Sequence, residues 1–240
     1  MSNSEKLLLE GLKEHNLEDI VDEISLSRLE IFYDYMISYN KKTDLTNITE
    51  KDEVYIKHFL DSLMLFKIEE FKEAHTLVDI GTGAGFPGVP LKIINNNLDI
   101  TLMDSLNKRL IFLDYIIDEM SLSDIRTLHA RAEDMGNDTL RDNFEIATSR
   151  AVSRLNKLVE LTLPLVAPSG IFVAMKGKDA HEELDEAENA IKTLNGRVRE
   201  VIDFKLFKGD QDRSLIVIEK TAPTPKKYPR SFGKIKNKPL

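Results

Sequence analysis

The chain has 240 residues, a formal net charge of −8 and no cysteine, which excludes disulfide bonds, thiolate metal sites and a cysteine nucleophile. No apolar stretch approaches the roughly 20 residues that a membrane-spanning helix needs, and the N-terminal stretch lacks the basic segment of a secretory signal. We therefore expect a cytoplasmic protein made of one large domain with smaller additions.

The first part of the chain has the pattern of amphipathic helices. Apolar residues recur every three or four positions, from Leu7 and Leu12 to Phe32 and Met36, and none of them alternates as a half-buried strand would. Residues 1–70 are therefore predicted to form an N-terminal helical cap.

From residue 76 onwards, short apolar runs alternate with helical stretches. The predicted strands are residues 76–80, 98–103, 125–129, 144–149, 170–175, 197–204 and 214–219. The predicted helices are residues 88–95, 106–120, 154–166 and 179–194. Such alternation indicates an α/β fold, a mostly parallel Rossmann-like sheet with helices on both faces, over residues 71–222. Because only "KGDQD" separates the last two strands, we expect them to form an antiparallel hairpin.

The C-terminal end is basic although the whole chain is acidic. Seven lysines and arginines and no acidic residue occur in residues 220–240, and prolines 223, 225, 229 and 239 prevent the sheet from continuing. We expect residues 223–240 to form a separate basic tail. Contact with a polyanion and a merely solvated tail are both consistent with this charge.

A glycine-rich segment follows the first predicted strand. In "LVDIGTGAGFPGVPLKI" (77–93), Gly81, Gly83 and Gly85 alternate with small residues. Such backbone freedom at the carboxyl end of a strand is typical of a site for a nucleotide-like ligand. No Gly-Lys-Ser/Thr follows, which excludes a P-loop.

Acidic residues around this segment indicate which ligand binds. Asp79 precedes the turn and would repel a pyrophosphate, whereas it would attract the cationic groups of S-adenosylmethionine. Asp104 ends the second strand, where a carboxylate can accept the ribose hydroxyls. Ala132 and Glu133 follow the third strand and are expected beside the adenine. These features favour S-adenosylmethionine over a nicotinamide dinucleotide.

The end of the fourth strand carries information about the methyl acceptor. Cytosine-C5 enzymes need a cysteine, and enzymes acting on exocyclic amines have an Asn/Asp-Pro-Pro-aromatic turn where this chain has Arg150 in "ATSRAVSRL". No metal-ligand spacing is present. A nucleophilic acceptor such as guanine N7, which needs no base, remains. A small-molecule methyltransferase and a non-catalytic nucleotide-binding module remain alternatives.

Several motifs together resemble one family. "HFLDSL" (58–63), "GTGAGFPG" (81–88), "DSLNKRLIFL" (104–113), "RAED" (131–134), "TSRAVSRL" (148–155), "MKG" (175–177) and "YPR" (228–230) occur in the order found in the RsmG family, also called GidB. The resemblance covers roughly residues 15–240. It implies an S-adenosylmethionine-dependent guanine-N7 methyltransferase of bacterial 16S ribosomal RNA, acting on guanine 527 in the 530 loop. It also implies a set of cofactor contacts, namely Gly81, Phe86, Ala132, Glu133 and Arg150.

The remaining candidate residues are polar or basic. Arg150 and Lys176 are the candidate catalytic residues; Arg150 would bind the cofactor carboxylate or an RNA phosphate. The residues predicted to contact RNA are His58, Lys226, Lys227, Arg230 and Lys234. Three of the candidate site residues have a structural alternative: His58 could pack between helices, Phe86 could lie in the core, and Lys176 could lie in a solvated loop. We expect a monomer that uses no metal, contacts no membrane and acts on 16S rRNA or the small ribosomal subunit.

Overall fold

A computed structural model of the chain describes residues 1–73, 75–137, 139–207 and 211–240. Seven strands form one sheet with the order β3-β2-β1-β4-β5-β7-β6. The strands are β1 (Thr76–Ile80), β2 (Asp99–Asp104), β3 (Ile125–His129), β4 (Phe144–Arg150), β5 (Val166–Lys176), β6 (Gly196–Lys205) and β7 (Asp212–Lys220). The predicted α/β fold is confirmed.

The pairing of the strands is mixed, as expected. β1 pairs with β4, β2 with β3, and β4 with β5 in parallel, whereas β7 runs antiparallel to β5. The last two strands of the chain are neighbours in the sheet, which confirms the predicted hairpin. Of its connection "KGDQD", residues 208–210 lie outside the described residues.

Ten α-helices lie among the described residues. They are α1 (Asn3–Glu14), α2 (Glu23–Thr43), α3 (Lys51–Val54), α4 (Asp61–Leu63), α5 (Gly88–Ile94), α6 (Asn107–Glu119), α7 (Ala132–Met135), α8 (Leu155–Thr162), α9 (Ala180–Thr193) and α10 (Phe232–Asn237). A π-helical stretch, Tyr55–Leu60, lies between α3 and α4. None of the helices in the described part of the chain is both long and apolar enough to cross a membrane.

Helix α8, strand β5 and helix α10 differ from the sequence-based expectation. The helix predicted over 154–166 ends at Thr162, because Pro164 has no amide hydrogen to continue the helical ladder. Strand β5 therefore begins at Val166 and is longer than predicted. Its pairing with β4 shifts register between Phe144 and Ile146, and this irregularity accommodates the positive φ of 70° at Ser169. Helix α10, in the proline-rich tail, was not expected.

The chain divides into two compact units. The first contains Met1–His75, Thr82–His129 and Lys205–Asp210, and the second contains Thr76–Gly81, Ala130–Phe204 and Gln211–Leu240. The boundaries predicted from the sequence, at residues 70 and 222, stay a prediction.

The first unit has an aromatic core between its helices. Phe32 of α2 and Phe59 are fully buried, and their ring centroids lie 5.8 Å apart. The ring of Phe86 lies 5.3 Å from that of Phe32 and 6.0 Å from that of Phe59. Because aromatic rings bury large apolar areas, this cluster fixes the segment that follows the glycine-rich turn.

The second unit is built on the central strands β4, β5 and β7. The residues at the middle of these strands, such as Ala147, Val173 and Val217, are fully buried, as expected for strands covered on both faces. Helices α8 and α9 pack against each other. Within this unit, these strands carry the loops that follow β4 and β5.

Candidate functional site

The glycine-rich turn of the first unit adopts the left-handed backbone expected from its sequence. Gly83 has a φ of 63° and Gly85 a φ of 96°, a region that residues with a Cβ rarely adopt. The amide of Gly83 donates a hydrogen bond of 3.0 Å to Oδ2 of Asp104. The turn is therefore tied to the carboxyl end of β2 by one buried carboxylate.

Asp104 is 3% exposed and receives two further N–H groups. Its Oδ1 accepts from the amide of Leu106 at 2.8 Å, and its Oδ2 accepts from Nη1 of Arg109 at 3.1 Å. A carboxylate has about four acceptor positions, so about one remains. The predicted role of Asp104 as acceptor of ribose hydroxyls stays a prediction, and the structure adds a second role, ordering the turn.

Phe86 and His58 lie together in the aromatic core of the first unit. Phe86 is 4% exposed, and its ring stacks on the His58 ring at 4.5 Å. Nε2 of His58 lies 3.1 Å from Oγ1 of Thr46. These contacts favour packing roles for both side chains; cofactor contact by Phe86 and RNA contact by His58 stay predictions.

In the second unit, the loop after β4 approaches the end of β1. A Cβ added to Gly81, which has a φ of 71°, would lie 2.4 Å from Cγ2 of Val152, so a larger residue would strain the backbone and require Val152 to move. Asp79 on β1 is fully buried and pairs in register with Thr148 of β4. Arg150 is the last residue of β4, two residues before Val152, and Ala151 turns the chain with a φ of 56°.

Lys176 braces that same loop. Its Nζ lies 2.7 Å from the Ser153 carbonyl oxygen and 2.7 Å from Oε2 of Glu183. That carboxylate also accepts from the amide of Leu155 at 2.7 Å. The Lys176 side chain is only 9% exposed, so it positions the segment after Arg150. The catalytic or RNA-contacting role expected for Lys176 stays a prediction.

Ala132 and Glu133 begin the short helix α7, and both are 7% exposed. Beside Glu133 the second unit has an open groove of about 510 Å³. The groove is lined by Arg131, Glu133, Asp134, Asn137, Arg230, Ser231 and Phe232. The tail therefore contributes directly to a concave surface next to one of the predicted cofactor residues.

Arg230 is held by Glu160 of helix α8, a carboxylate with no exposed surface. Its Nε donates to Oε1 at 2.8 Å and its Nη2 to Oε2 at 2.6 Å, and its backbone amide donates to Oε1 at 2.9 Å. These hydrogen bonds raise the pKa of the guanidinium further. Arg230 therefore anchors the tail, and the RNA contact expected from its charge stays a prediction.

The seven basic residues of the C-terminal end thus have different environments. Lys220 is fully buried and donates to Asp142 and to the carbonyl oxygens of Leu163 and Val166, and this burial lowers its pKa. The lysines at 226, 227, 234, 236 and 238 are exposed. Only these five can meet a phosphate without breaking an internal ion pair of the tail.

Sequence reasoning missed four residues that organise these regions. Val152 excludes a side chain at Gly81, Arg109 binds Asp104 and Glu160 binds Arg230. Arg141 donates to the carbonyl oxygens of Tyr228 and Thr224 and so holds the tail. Arg109 lies within the motif "DSLNKRLIFL" and Val152 within "TSRAVSRL", so the motifs could have pointed to these two residues. Nothing in the sequence distinguishes Glu160 or Arg141 from ordinary surface charges.

The strand order and the glycine-rich turn after β1 define the class, a methyltransferase with a Rossmann-like fold. A solved structure described as a predicted O-methyltransferase from Agrobacterium tumefaciens has the same fold, with a TM-score of 0.54, 15% identity and coverage of 69% of this chain and 81% of its own. At that identity the likeness concerns the fold alone.

Sequence comparison identifies the family. Residues 25–215 match the model of the GidB family, described as rRNA small subunit methyltransferase G. A relative of that name from Lactobacillus johnsonii is 49% identical over 87% of this chain and 89% of its own length. Another from Lactobacillus acidophilus is 43% identical over 99% of both chains. The chain belongs to this family, which confirms the resemblance found in its motifs.

Proposed function

We propose that this protein transfers a methyl group from S-adenosylmethionine to N7 of a guanine in 16S ribosomal RNA. The observation that carries the proposal is the 43% identity to a ribosomal RNA small subunit methyltransferase G over 99% of both chains. The family resemblance implies the position, guanine 527 in the 530 loop. The chain also keeps Arg150, Lys176 and the "GTGAGFPG" turn through which that resemblance was recognised.

The turn of the first unit fits S-adenosylmethionine better than a dinucleotide. A dinucleotide site directs backbone amides at a pyrophosphate, whereas here the Gly83 amide donates its hydrogen bond to Asp104. The Asp104 carboxylate adds a negative charge that Arg109 partly balances. In the second unit Asp79 is a buried carboxylate on the strand before the turn. Each of these acids, within its own unit, would oppose a pyrophosphate and favour a donor that carries positive groups.

When bound, S-adenosylmethionine supplies a methyl group on a positively charged sulfur. Guanine N7 has a lone pair in the plane of the ring, so the protein needs no general base to activate it. The side chains then have to orient the acceptor and exclude water. We assign the orientation of the reactants to Arg150, at the carboxyl end of β4. The ion pair of Lys176 and Glu183 holds the loop that follows Arg150 and so positions Arg150 itself.

The test of the function is a map of N7-methylguanine in 16S rRNA. Cells with and without this gene are compared by reduction and aniline cleavage, which cuts RNA at N7-methylguanine. We expect one cleavage site, at guanine 527, in the parent and none in the deletion strain, with recovery on return of the gene. An identical pattern in both strains would contradict the proposal.

A matched variant separates the function from its alternatives. Gly83→Val keeps the strands and should remove methylation together with S-adenosylmethionine binding, because Gly83 has a positive φ. A protein that binds S-adenosylmethionine tightly and methylates no RNA would favour the non-catalytic module. Methyl transfer to a small molecule alone would favour the other alternative.

A further inference from the structure

An exposed aromatic ring lies at the edge of the groove in the second unit. Phe232, the first residue of α10, is 43% exposed. The guanidinium carbon of Arg131 lies 5.7 Å from the centroid of its ring, and the Arg131 side chain is itself 58% exposed. The two side chains together form an accessible flat surface beside Glu133.

The ring of Phe232 is held in place although it is not part of the core. On one side of it in the sequence Arg230 binds the buried Glu160, and on the other side Ile235 is fully buried. A phenylalanine that lies between two anchored residues and remains exposed contributes little to folding. A rigid, exposed ring is what a stacking surface requires, because little conformational entropy is lost on binding.

The charges of the groove favour a base over a phosphate. Arg230 is neutralised by Glu160, and the acids Glu133 and Asp134 also line the groove. One further cation, Arg131, lies 3.9 Å from Glu133, so the groove has no net positive charge. Two exposed lysines of the same tail lie near Phe232 in the sequence: Lys234 is two residues after it and Lys227 is five residues before it. Cations suited to phosphates are therefore close to the ring along the chain.

We propose that Phe232 and Arg131 form a stacking site for one unpaired base of the ribosomal RNA substrate; this rests on the proposed RNA methyltransferase function. Proteins read single-stranded RNA by stacking splayed bases on aromatic rings and arginine planes. A volume of about 510 Å³ is within the usual range for small ligands of roughly 300–1,000 Å³. The groove therefore accommodates one nucleotide while the lysines of the tail remain outside it.

The test compares variants of Phe232 in the full-length protein. Small ribosomal subunits and 16S rRNA from a strain lacking this gene serve as probes, and both RNA affinity and the KM for RNA are measured. Phe232→Ala should weaken RNA affinity by about ten-fold, as for the loss of one stacked base. Phe232→Trp should retain the affinity and Phe232→Leu should not, since only tryptophan has a π-face. Arg131→Lys should also weaken binding, because an ammonium does not stack.

Two controls make the outcome unambiguous. Val198→Ala, at another exposed apolar residue of the second unit, should leave RNA affinity unchanged. Affinity for S-adenosylmethionine and the melting temperature should be unchanged in every Phe232 variant. Normal RNA affinity in Phe232→Ala, or an equal loss in Phe232→Ala and Phe232→Trp, would overturn the stacking site. If the unaltered protein methylates neither probe, the proposed function fails instead.

Discussion

Replacement of Arg230 by alanine distinguishes an anchor of the tail from an RNA contact. In the folded protein its guanidinium makes three hydrogen bonds, of 2.8, 3.2 and 2.6 Å, to the fully buried Glu160. The variant leaves that carboxylate with one backbone amide, that of residue 230 itself. Removing one partner of a buried ion pair costs about 3–5 kcal/mol. The Arg230 side chain is 20% exposed, so water reaches the vacated space and we expect about 3 kcal/mol.

The assay is thermal unfolding together with RNA binding at several salt concentrations. For a chain of this size each kcal/mol lowers Tm by about 2–4 °C, so we expect a decrease of roughly 6–12 °C. The slope of log K against log salt should not change, because a guanidinium already neutralised by Glu160 releases no RNA counterion. Lys236→Ala, which removes an exposed charge from the same tail, is the control and should leave Tm unchanged.

A second change tests the physical cause. Glu160→Gln in the Arg230→Ala background should restore part of the lost stability, because a neutral amide needs no counterion in the interior. If Arg230→Ala keeps the parental Tm and instead flattens the salt slope by about 0.7, one phosphate contact, then Arg230 binds RNA. That result would refute the anchoring role of the Glu160 pair.

Four further variants test the tail lysines and the glycine-rich turn. Replacing Lys226, Lys227 and Lys234 by alanine should flatten the salt slope of RNA binding by about 2 units, at about 0.7 per phosphate, with no loss of Tm; an unchanged slope in filter binding would exclude these lysines from the RNA contact. Gly83→Val forces a β-branched residue into a φ of 63°, so calorimetry should show no S-adenosylmethionine binding, and normal affinity in a folded variant would exclude the turn as the cofactor site. Asp104→Ala should weaken S-adenosylmethionine binding by about 1.5–3 kcal/mol, and Arg109→Ala by less; tight binding of NAD by the unaltered protein would contradict the role of both carboxylates.

The fold could be predicted because its strands are short apolar runs separated by helical periodicity. β1 and β3 have the bounds expected from the sequence, Thr76–Ile80 and Ile125–His129. Strand β5 was underestimated because Pro168 and Gly170 suggest a turn, whereas the pairing with β4 accommodates them by a shift of register. Helix α10 was missed because the prolines around it dominate the local pattern, while the burial of Ile235 that fixes it is a tertiary effect.

The roles of the basic residues could not be predicted in the same way. Arg230 and Lys227 lie three positions apart in one proline-rich segment, and by sequence both are tail cations. They differ because Glu160, seventy residues earlier, meets only Arg230. Its carboxylate is on a helix whose neighbouring positions are also buried, and an acid at such a position needs a cation. Charge patterning counts cations correctly but does not show which of them the fold has already neutralised.

Asp104 is one residue that both orders the glycine-rich turn and bears on which ligand the turn can bind. Asp104 ends a predicted strand, so its position was expected, but its hydrogen bonds to Gly83 and Leu106 depend on the turn of the chain between them. Because the Asp104 carboxylate already accepts the hydrogen bond of the Gly83 amide, that amide cannot donate to a pyrophosphate. The proposed preference for a donor without phosphates therefore follows from how the turn is held. Arg109 supports this arrangement, because its guanidinium lies 3.1 Å from Oδ2 of Asp104, the same oxygen that accepts from the Gly83 amide.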